Sequence, residues 1–244
     1  MALVGIAAIV FAKRRDEGRA LTAHRPTLRR DLLFFLTMLT LALGAGALGL
    51  VPPLVLAPLF VLAYVGYVAL TLRRGGETES EDELPDLVAD PDSSTPPANW
   101  RIGAQFVVSL ALIVGGAHVF VEELLVIAER LDASPLVLSL LLAPLATELP
   151  EKANSVLWIR DGKDSLALGN ITGAMVFQST IPVSVGLAFT DWELDRYALL
   201  AGALALTGAL IALWSLSVRR RFTLPAVGAW TLLFLGLVAA LVLT

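Results

Sequence analysis

The chain has 244 residues, of which 57% are hydrophobic and only 16% are charged, and its formal net charge is −4. A soluble domain is about 45–50% apolar and about 25% charged, so a soluble fold of this length cannot bury so much apolar surface. We therefore predict an all-α integral membrane protein that lies among membrane lipids, and we expect no nucleic-acid partner.

The chain contains no cysteine and two histidines, His24 and His118. Disulfides, thiolate metal sites and cysteine nucleophiles are thereby excluded, and two imidazoles are too few for a multi-histidine metal centre. We expect neither an enzyme activity nor a resident cofactor.

The first twelve residues, MALVGIAAIVFA, are apolar but too short to cross a bilayer alone. Basic residues follow this segment, whereas a signal peptide carries them in front. We interpret it as the end of a helix whose beginning lies outside this chain. A short interfacial or re-entrant segment is the alternative.

Six or seven apolar stretches are long enough to cross a bilayer as helices, which takes about 20 residues. Their apolar runs are continuous, which favours helices over the alternating strands of a barrel. The predicted spans are residues 31–51, 54–72, 103–127, 135–159, 166–189, 197–217 and 224–244. The predicted fold is a polytopic helical bundle of about seven full transmembrane helices plus the N-terminal remnant.

The basic residues predict the orientation of these spans. Fifteen of the 18 Lys and Arg residues fall in loops 13–30, 73–101, 160–165 and 217–223, which share one side when the seven spans alternate. By the positive-inside rule this side, including loop 73–101, is cytoplasmic. We expect the plasma (inner) membrane.

Residues 75–99 carry eight acidic residues and no basic residue. Their Pro, Ser, Asp and Glu content predicts a disordered, acidic cytoplasmic linker. A calcium-sensing segment is the alternative, although 25 residues without an EF-hand pattern are too few for a folded sensor. The linker divides the chain into a membrane segment, 1–74, and a membrane region, 100–244.

The span 103–127 contains His118, Glu122 and Glu123 towards its outer end. His118 and Glu122 are four residues apart and share a helix face. An outer vestibule for cations and a purely structural hydrogen bond between the two side chains are equally compatible with this spacing.

The span 135–159 holds polar groups that a membrane interior disfavours. They are Thr147, Glu148, Glu151, Lys152, Asn154 and Ser155. An ionisable side chain inside a span costs a few kcal/mol and indicates a functional site by default. Pro144 and Pro150 flank Glu148, and each removes a backbone donor and disturbs the helix, so nearby carbonyl oxygens become available to a ligand.

Helical spacing predicts how these groups pair. Glu148 and Lys152 are four apart in the order that favours an ion pair, so Glu148 is neutralised within its own helix. Glu151 shares a helix face with Thr147, and Asn154 and Ser155 continue near that face. Glu151 is then the stronger candidate to bind an exchangeable cation. Hard oxygen ligands suit Ca²⁺ or Na⁺. A closed network that only joins helices is the alternative.

The span 166–189 adds a second polar group. Gly169 and Gly173 have the small-xxx-small spacing that lets two helices approach closely, although this spacing is common in membrane helices. Such packing would bring Gln178, near the middle of the span, towards the carboxylates of the preceding helix. Pro182 is expected to loosen the helix just beyond.

The hairpin 143–178 resembles the alpha-repeat of the calcium/cation antiporter superfamily, whose best-known branch is the sodium/calcium exchangers. Those repeats carry a Gly-Thr-Ser-X-Pro-Glu motif on one helix, and residues 146–151 here read ATELPE. A Gly-Asn-X-X-Gly-Ser-Asn-X-Phe-Asn/Asp motif follows on the next helix, and residues 169–178 here read GNITGAMVFQ. The resemblance extends more loosely over 103–244, which resembles the second half of the family fold.

The resemblance implies roles for the matched positions. Glu151 falls on the family's central Ca²⁺/Na⁺ carboxylate, Thr147 on a ligand threonine, and Gln178 on the Asn/Asp that faces the ions. Glu148 replaces a ligand serine, so the implied metal ligands are these four residues. Lys152 adds an ammonium that could occupy the electrostatic place of one Na⁺.

The family fold uses two inverted repeats, and this chain shows one. It is therefore expected to be half of an inverted-repeat antiporter, either shortened at its N terminus or completed by a second chain that carries the missing repeat. The implied function is a cation antiporter that moves Ca²⁺ against Na⁺ or H⁺ by alternating access. A non-transporting partner subunit or truncated half-transporter is the alternative.

Overall fold

The structure is a computed structural model that describes residues 5–7, 10–11, 25–49, 51–73, 99–132, 135–216 and 223–242. The predicted acidic linker lies outside these residues except for its last position, and so do most of the two basic loops 13–30 and 217–223. Within the described ranges every regular element is a helix, which confirms the predicted all-α fold.

Eight helices follow one another along the described part of the chain. They are α1 (Arg25–Leu48), α2 (Pro53–Arg73), α3 (Asn99–Arg130), α4 (Pro135–Arg160), α5 (Asp164–Gln178), α6 (Ile181–Phe189), α7 (Arg196–Trp214) and α8 (Leu224–Val242).

Six of the predicted spans correspond to helices that are long and apolar enough to cross a membrane, with α5 and α6 together forming one of the six. The chain is therefore an integral membrane protein. The remaining predicted span corresponds to α4, which has 26 residues. At 1.5 Å per residue it measures roughly 39 Å, enough for a bilayer core of about 30 Å. The charges of Glu148, Glu151 and Lys152 set α4 apart from the apolar helices, and its crossing stays a prediction.

Helix α4 runs without interruption across Pro144 and Pro150. The predicted disturbance is thus smaller than a break: each proline removes one backbone donor while the helix continues. The observed break lies instead between α5 and α6, at Ser179 and Thr180.

Hydroxyl groups stabilise the break between α5 and α6. The Thr180 hydroxyl donates to the carbonyl oxygens of Val176 (2.7 Å) and Phe177 (3.0 Å), and the Ser179 hydroxyl donates to that of Val176 (3.1 Å). The last carbonyls of α5 therefore keep partners where its own ladder ends. Pro182 lies in the first turn of α6, where its missing N–H is tolerated. Gln178 becomes the last residue of α5.

The chain divides into two compact units, Met1–Gly76 with Leu145–Thr244, and Glu77–Pro144. In the first unit α1 packs on α5 and α7, α2 packs on α6, and α7 packs on α8. In the second unit α3 is an apolar helix with only 6% of its spanning window buried.

Two apolar clusters hold the first unit together. One joins the start of α1 to α4, α5, α7 and α8 through residues that include Leu32, Ile159, Leu168, Ala212 and Trp230. The other joins α1, α2 and α6 through Met38, Ala42, Ala57, Phe60 and Leu187. The described N-terminal residues are helical, and Ala7 belongs to the first cluster.

Trp192, in the loop between α6 and α7, closes the second cluster. Its indole Nε1 donates to the Ala42 carbonyl oxygen at 2.9 Å. Its backbone has a φ of 53°, in the left-handed region that bulky residues rarely adopt, so the surrounding contacts must hold it there. A Cβ on Gly186 would lie 2.4 Å from the Trp192 ring. The ring can occupy this place only because residue 186 is a glycine.

We predict that Gly186→Ala lowers stability by ~1–3 kcal/mol, since the rigid indole has to move and overpacking of a filled site costs about this much. Thermal unfolding of the purified protein in detergent measures the change. Gly208→Ala is the matched control, because the nearest atom to its Cβ would be 3.7 Å away, an ordinary contact. Equal melting temperatures for the two variants would contradict the close packing at Trp192.

Candidate cation-binding site

An open groove of about 440 Å³ lies between α4 and α5. We call it the α4–α5 groove. Its lining residues are Glu148, Glu151, Gly169, Asn170, Gly173, Ala174, Phe177 and Gln178. It brings together the two carboxylates of the predicted span 135–159 and the predicted amide of the span 166–189.

Gly169 and Gly173 have a different role from the predicted one. Among the described residues, no atom of another helix lies within 4 Å of a Cβ built on either glycine. The predicted close helix contact at this pair is therefore not observed. Because both glycines line the groove, their missing side chains leave space in it.

Glu148 is compensated from two sides. Its Oε2 accepts a hydrogen bond from the Lys152 ammonium, which confirms the predicted ion pair within α4. Its Oε1 accepts a hydrogen bond from the Gln178 amide, so α5 reaches α4 at this carboxylate, as the sequence predicted. The Glu148 and Lys152 side chains are only 21% and 19% exposed.

Glu151 is compensated much less. Its Oε2 is buried and has no hydrogen-bond partner among the described residues. The Lys152 ammonium lies 4.0 Å from this oxygen, beyond hydrogen-bond distance. Two carboxylates and one ammonium give this cluster a formal charge of −1, and the ammonium is hydrogen-bonded to Glu148 and not to Glu151.

Ser155 joins the two helices instead of lining the groove. It is fully buried, its hydroxyl lies 3.4 Å from the Ala167 carbonyl oxygen, and the Asn170 amide donates to its Oγ at 3.3 Å. Ser155 thus faces α5, as Glu151 does, but it is not among the groove residues. Asn154 is exposed and is not among the groove residues.

Two other predicted groups stand apart from these contacts. The side chain of Thr147 lies outside the described part of the structure, so its role as a ligand stays a prediction. His118 Nε2 lies 3.3 Å from Glu122 Oε1 on α3, as the structural alternative for this pair requires, and both side chains are well exposed. The alternative role in an outer vestibule for cations stays a prediction.

Sequence reasoning missed Asp31. This residue of α1 is only 3% exposed. Its carboxylate accepts hydrogen bonds from the hydroxyls of Tyr67 on α2 (2.5 Å) and Thr172 on α5 (2.8 Å). An Arg-Asp pair at the head of an apolar span was the signal that could have found it.

The groove offers carboxylate and amide groups to a cation. In the described ranges no three His, Asp or Glu side chains come together as a metal-binding group. Two carboxylates beside an ammonium are better suited to an exchangeable hard cation than to a tightly bound structural metal.

A comparison with known protein families shows which family the chain matches. The family described as sodium/calcium exchanger protein matches residues 102–244, which is more than half of the chain. The chain belongs to the sodium/calcium exchanger family. Membership in a transporter family also agrees with the expectation that the protein is not an enzyme.

Individual relatives of this exchanger-family chain cover it in part. CaxA of Alkalimonas amylolytica, named as an antiporter, is 28% identical over 66% of this chain and 50% of its own length. Inner membrane protein YrbG of Escherichia coli is 28% identical over 80% of this chain and 58% of its own length. Sodium/calcium exchanger MaX1 of Methanosarcina acetivorans is 41% identical over 70 residues, 29% of this chain and 20% of its own length.

The chain thus spans about half the length of the first two relatives. No solved structure matches it significantly.

The native chain lacks cysteine, so a single introduced thiol reports on the groove. We predict that Ala174→Cys, on the groove face of α5, reacts with a water-soluble maleimide. Val176→Cys is the matched control two residues away, and it should react far more slowly because Val176 is 1% exposed. Comparable labelling rates for the two variants, followed by mass spectrometry, would contradict the orientation of α5.

Proposed function

We propose that this chain is a cation antiporter that exchanges Ca²⁺ for Na⁺, or for H⁺, by alternating access in the plasma (inner) membrane. Glu151 is the central ligand, assisted by Glu148, Thr147 and Gln178. The observation that carries the proposal is the uneven compensation of the two carboxylates in the α4–α5 groove.

A carboxylate inside an apolar helix is stable only with a partner. Glu148 has two partners in the protein, whereas the Glu151 Oε2 has no hydrogen-bond partner among the described residues. A cation supplied from solution can provide the missing compensation. Because that partner is not covalently attached, it can also leave, which a transporter requires.

Gln178 can contribute to the same site. Its amide N–H donates to Glu148, so its carbonyl oxygen remains as an acceptor that can face a cation. Its place at the end of α5, beside the break at Ser179 and Thr180, is typical of transporter sites on discontinuous helices.

Lys152 sets the electrostatics of the exchange. With the ammonium in place the cluster carries one negative charge, which matches one Na⁺ or one proton. Binding of Ca²⁺ at the same oxygens is opposed by the nearby ammonium, so it requires Lys152 to draw away from Glu151. In this account Lys152 takes the electrostatic place of one Na⁺, and cation occupancy neutralises the groove so that helices can rearrange between outward-open and inward-open states.

The coverage of the relatives favours a second candidate. The chain spans 50% and 58% of the lengths of CaxA and YrbG. In the second candidate, another membrane chain supplies a further repeat before transport occurs. In that case this chain inserts and binds cations but does not transport alone. The coding sequence upstream of Met1 distinguishes a longer single-chain antiporter from a two-chain assembly. An in-frame extension with a second Pro-Glu motif indicates the longer chain. A stop codon next to a half-length membrane gene indicates the two-chain assembly.

We predict that Glu151→Gln abolishes exchange without preventing membrane insertion, because the amide keeps the size of the side chain but carries no charge. The measurement is ⁴⁵Ca²⁺ uptake into sodium-loaded vesicles that contain the protein. Glu193→Gln is the matched control, because Glu193 is an exposed acid in the loop between α6 and α7. Undiminished uptake by the Glu151 variant would refute the proposal, and absent uptake by the unmodified chain would favour the half-transporter.

We predict that Lys152→Leu changes the number of Na⁺ ions coupled to each Ca²⁺, raising it by one, since a free ion then has to replace the ammonium. The charge moved per Ca²⁺, obtained from reversal potentials in vesicles, measures this number. Lys163→Leu, in the exposed loop between α4 and α5, is the control and should leave the coupling unchanged. Identical charge movement for Lys152→Leu and the parent would rule the role out.

A further inference from the structure

A buried polar cluster joins α1, α2 and α5 on the side of α5 that faces away from the groove. We call Arg30, Asp31, Tyr67 and Thr172 the Asp31 cluster. Asp31 Oδ1 accepts hydrogen bonds from the Tyr67 hydroxyl at 2.5 Å and from Arg30 Nη2 at 3.2 Å. Asp31 Oδ2 accepts one from the Thr172 hydroxyl at 2.8 Å. The carboxylate therefore uses both oxygens, and one of them is devoted to α5.

The hydroxyl of Thr172 lies on the face of α5 opposite the groove. At 100° per residue, Thr172 lies roughly 150° around α5 from the centre of the face that carries the groove residues of this helix, which are Gly169, Asn170, Gly173, Ala174, Phe177 and Gln178. Thr172 is fully buried. Asp31 accordingly holds the back of α5 while the front of the same helix lines the groove.

The contact between α1 and α5 is otherwise apolar near this point, with Leu32, Leu168 and Ile171 in one cluster. Apolar contacts are non-directional, so they resist separation of two helices better than they resist sliding or rotation. A hydrogen bond to a buried carboxylate is directional and strong. The Thr172–Asp31 bond therefore opposes rotation of α5 about its axis.

That rotation decides where the groove amides point. Gln178 reaches Glu148 and Asn170 reaches Ser155 from the front of α5. If α5 turns, both amides move relative to the carboxylates of α4, and the ligands of the groove no longer converge.

We propose that Asp31 is a positioning residue for the α4–α5 groove, acting through its hydrogen bond to Thr172, so that cation affinity depends on a carboxylate that does not itself line the groove. This inference rests on the proposed function for its effect on cations. Its effect on the orientation of α5 stands independently.

The first experiment uses the full chain with Ala174→Cys as the reporter. The concentrations of Na⁺ and of Ca²⁺ that halve its maleimide labelling are measured in the parent and in each variant. Thr172→Val, which keeps the shape but removes the hydroxyl, and Asp31→Asn should each raise these concentrations about tenfold, the order expected for a hydrogen bond to a charged group. Thr172→Ser restores the hydroxyl and should behave like the parent.

Tyr67→Phe is the matched control. It removes a hydrogen bond to the same buried carboxylate from α2 and leaves the α5 bond in place. It should lower stability without changing the concentrations of Na⁺ and Ca²⁺ that halve maleimide labelling. An equal shift in Tyr67→Phe and Thr172→Val would show general destabilisation and overturn the positioning role, as would a Thr172→Val protein that binds cations like the parent.

The second experiment needs no cation and keeps the two proposals apart. Val176→Cys, buried on the back of α5, should become reactive towards maleimide when combined with Thr172→Val and remain unreactive when combined with Tyr67→Phe. Unchanged reactivity in the Thr172→Val background overturns the inference. If neither Na⁺ nor Ca²⁺ protects the parent reporter, the proposed function fails, and the reactivity at residue 176 still decides whether Asp31 orients α5.

Discussion

Compensation of charge inside apolar helices is the constraint on which this structure depends. Water cannot stabilise a carboxylate buried among leucines, so each acid in a span needs a partner from the protein or from solution. Asp31 and Glu148 each have partners on a neighbouring helix. Glu151 differs from both, because its Oε2 lies 4.0 Å from the Lys152 ammonium and has no hydrogen-bond partner among the described residues, while 42% of its side chain is exposed. This difference supports the proposal that Glu151 holds an exchangeable ion.

Helix α5 connects the two kinds of acid. Its back is tied to Asp31 through Thr172, and its front donates an amide to Glu148 through Gln178. The break after Gln178 ends the helix at the groove, and the hydroxyls of Ser179 and Thr180 satisfy the carbonyls that the break exposes. The same helix therefore contacts a buried carboxylate at one face and lines the α4–α5 groove at the other.

Much of this arrangement could be predicted from the sequence, because its causes are local. The spacing of Glu148 and Lys152 by one helical turn predicts their pair, and long apolar runs predict the helices. Contacts between distant segments could not be predicted in the same way. Asp31 and Thr172 are 141 positions apart, so their hydrogen bond depends on how the helices pack. The spacing of Gly169 and Gly173 predicts close packing against a neighbouring helix. Spacing alone cannot distinguish such a contact from an open groove, and in the structure both glycines line the groove.

Cation binding by Glu151 can be tested without a transport assay. Infrared difference spectra of the purified protein, recorded with and without Na⁺ or Ca²⁺, report directly on carboxylate stretching bands. We expect a cation-dependent carboxylate band that disappears in Glu151→Gln and persists in Glu193→Gln. Spectra without such a band, or with a band that survives in Glu151→Gln, would contradict it.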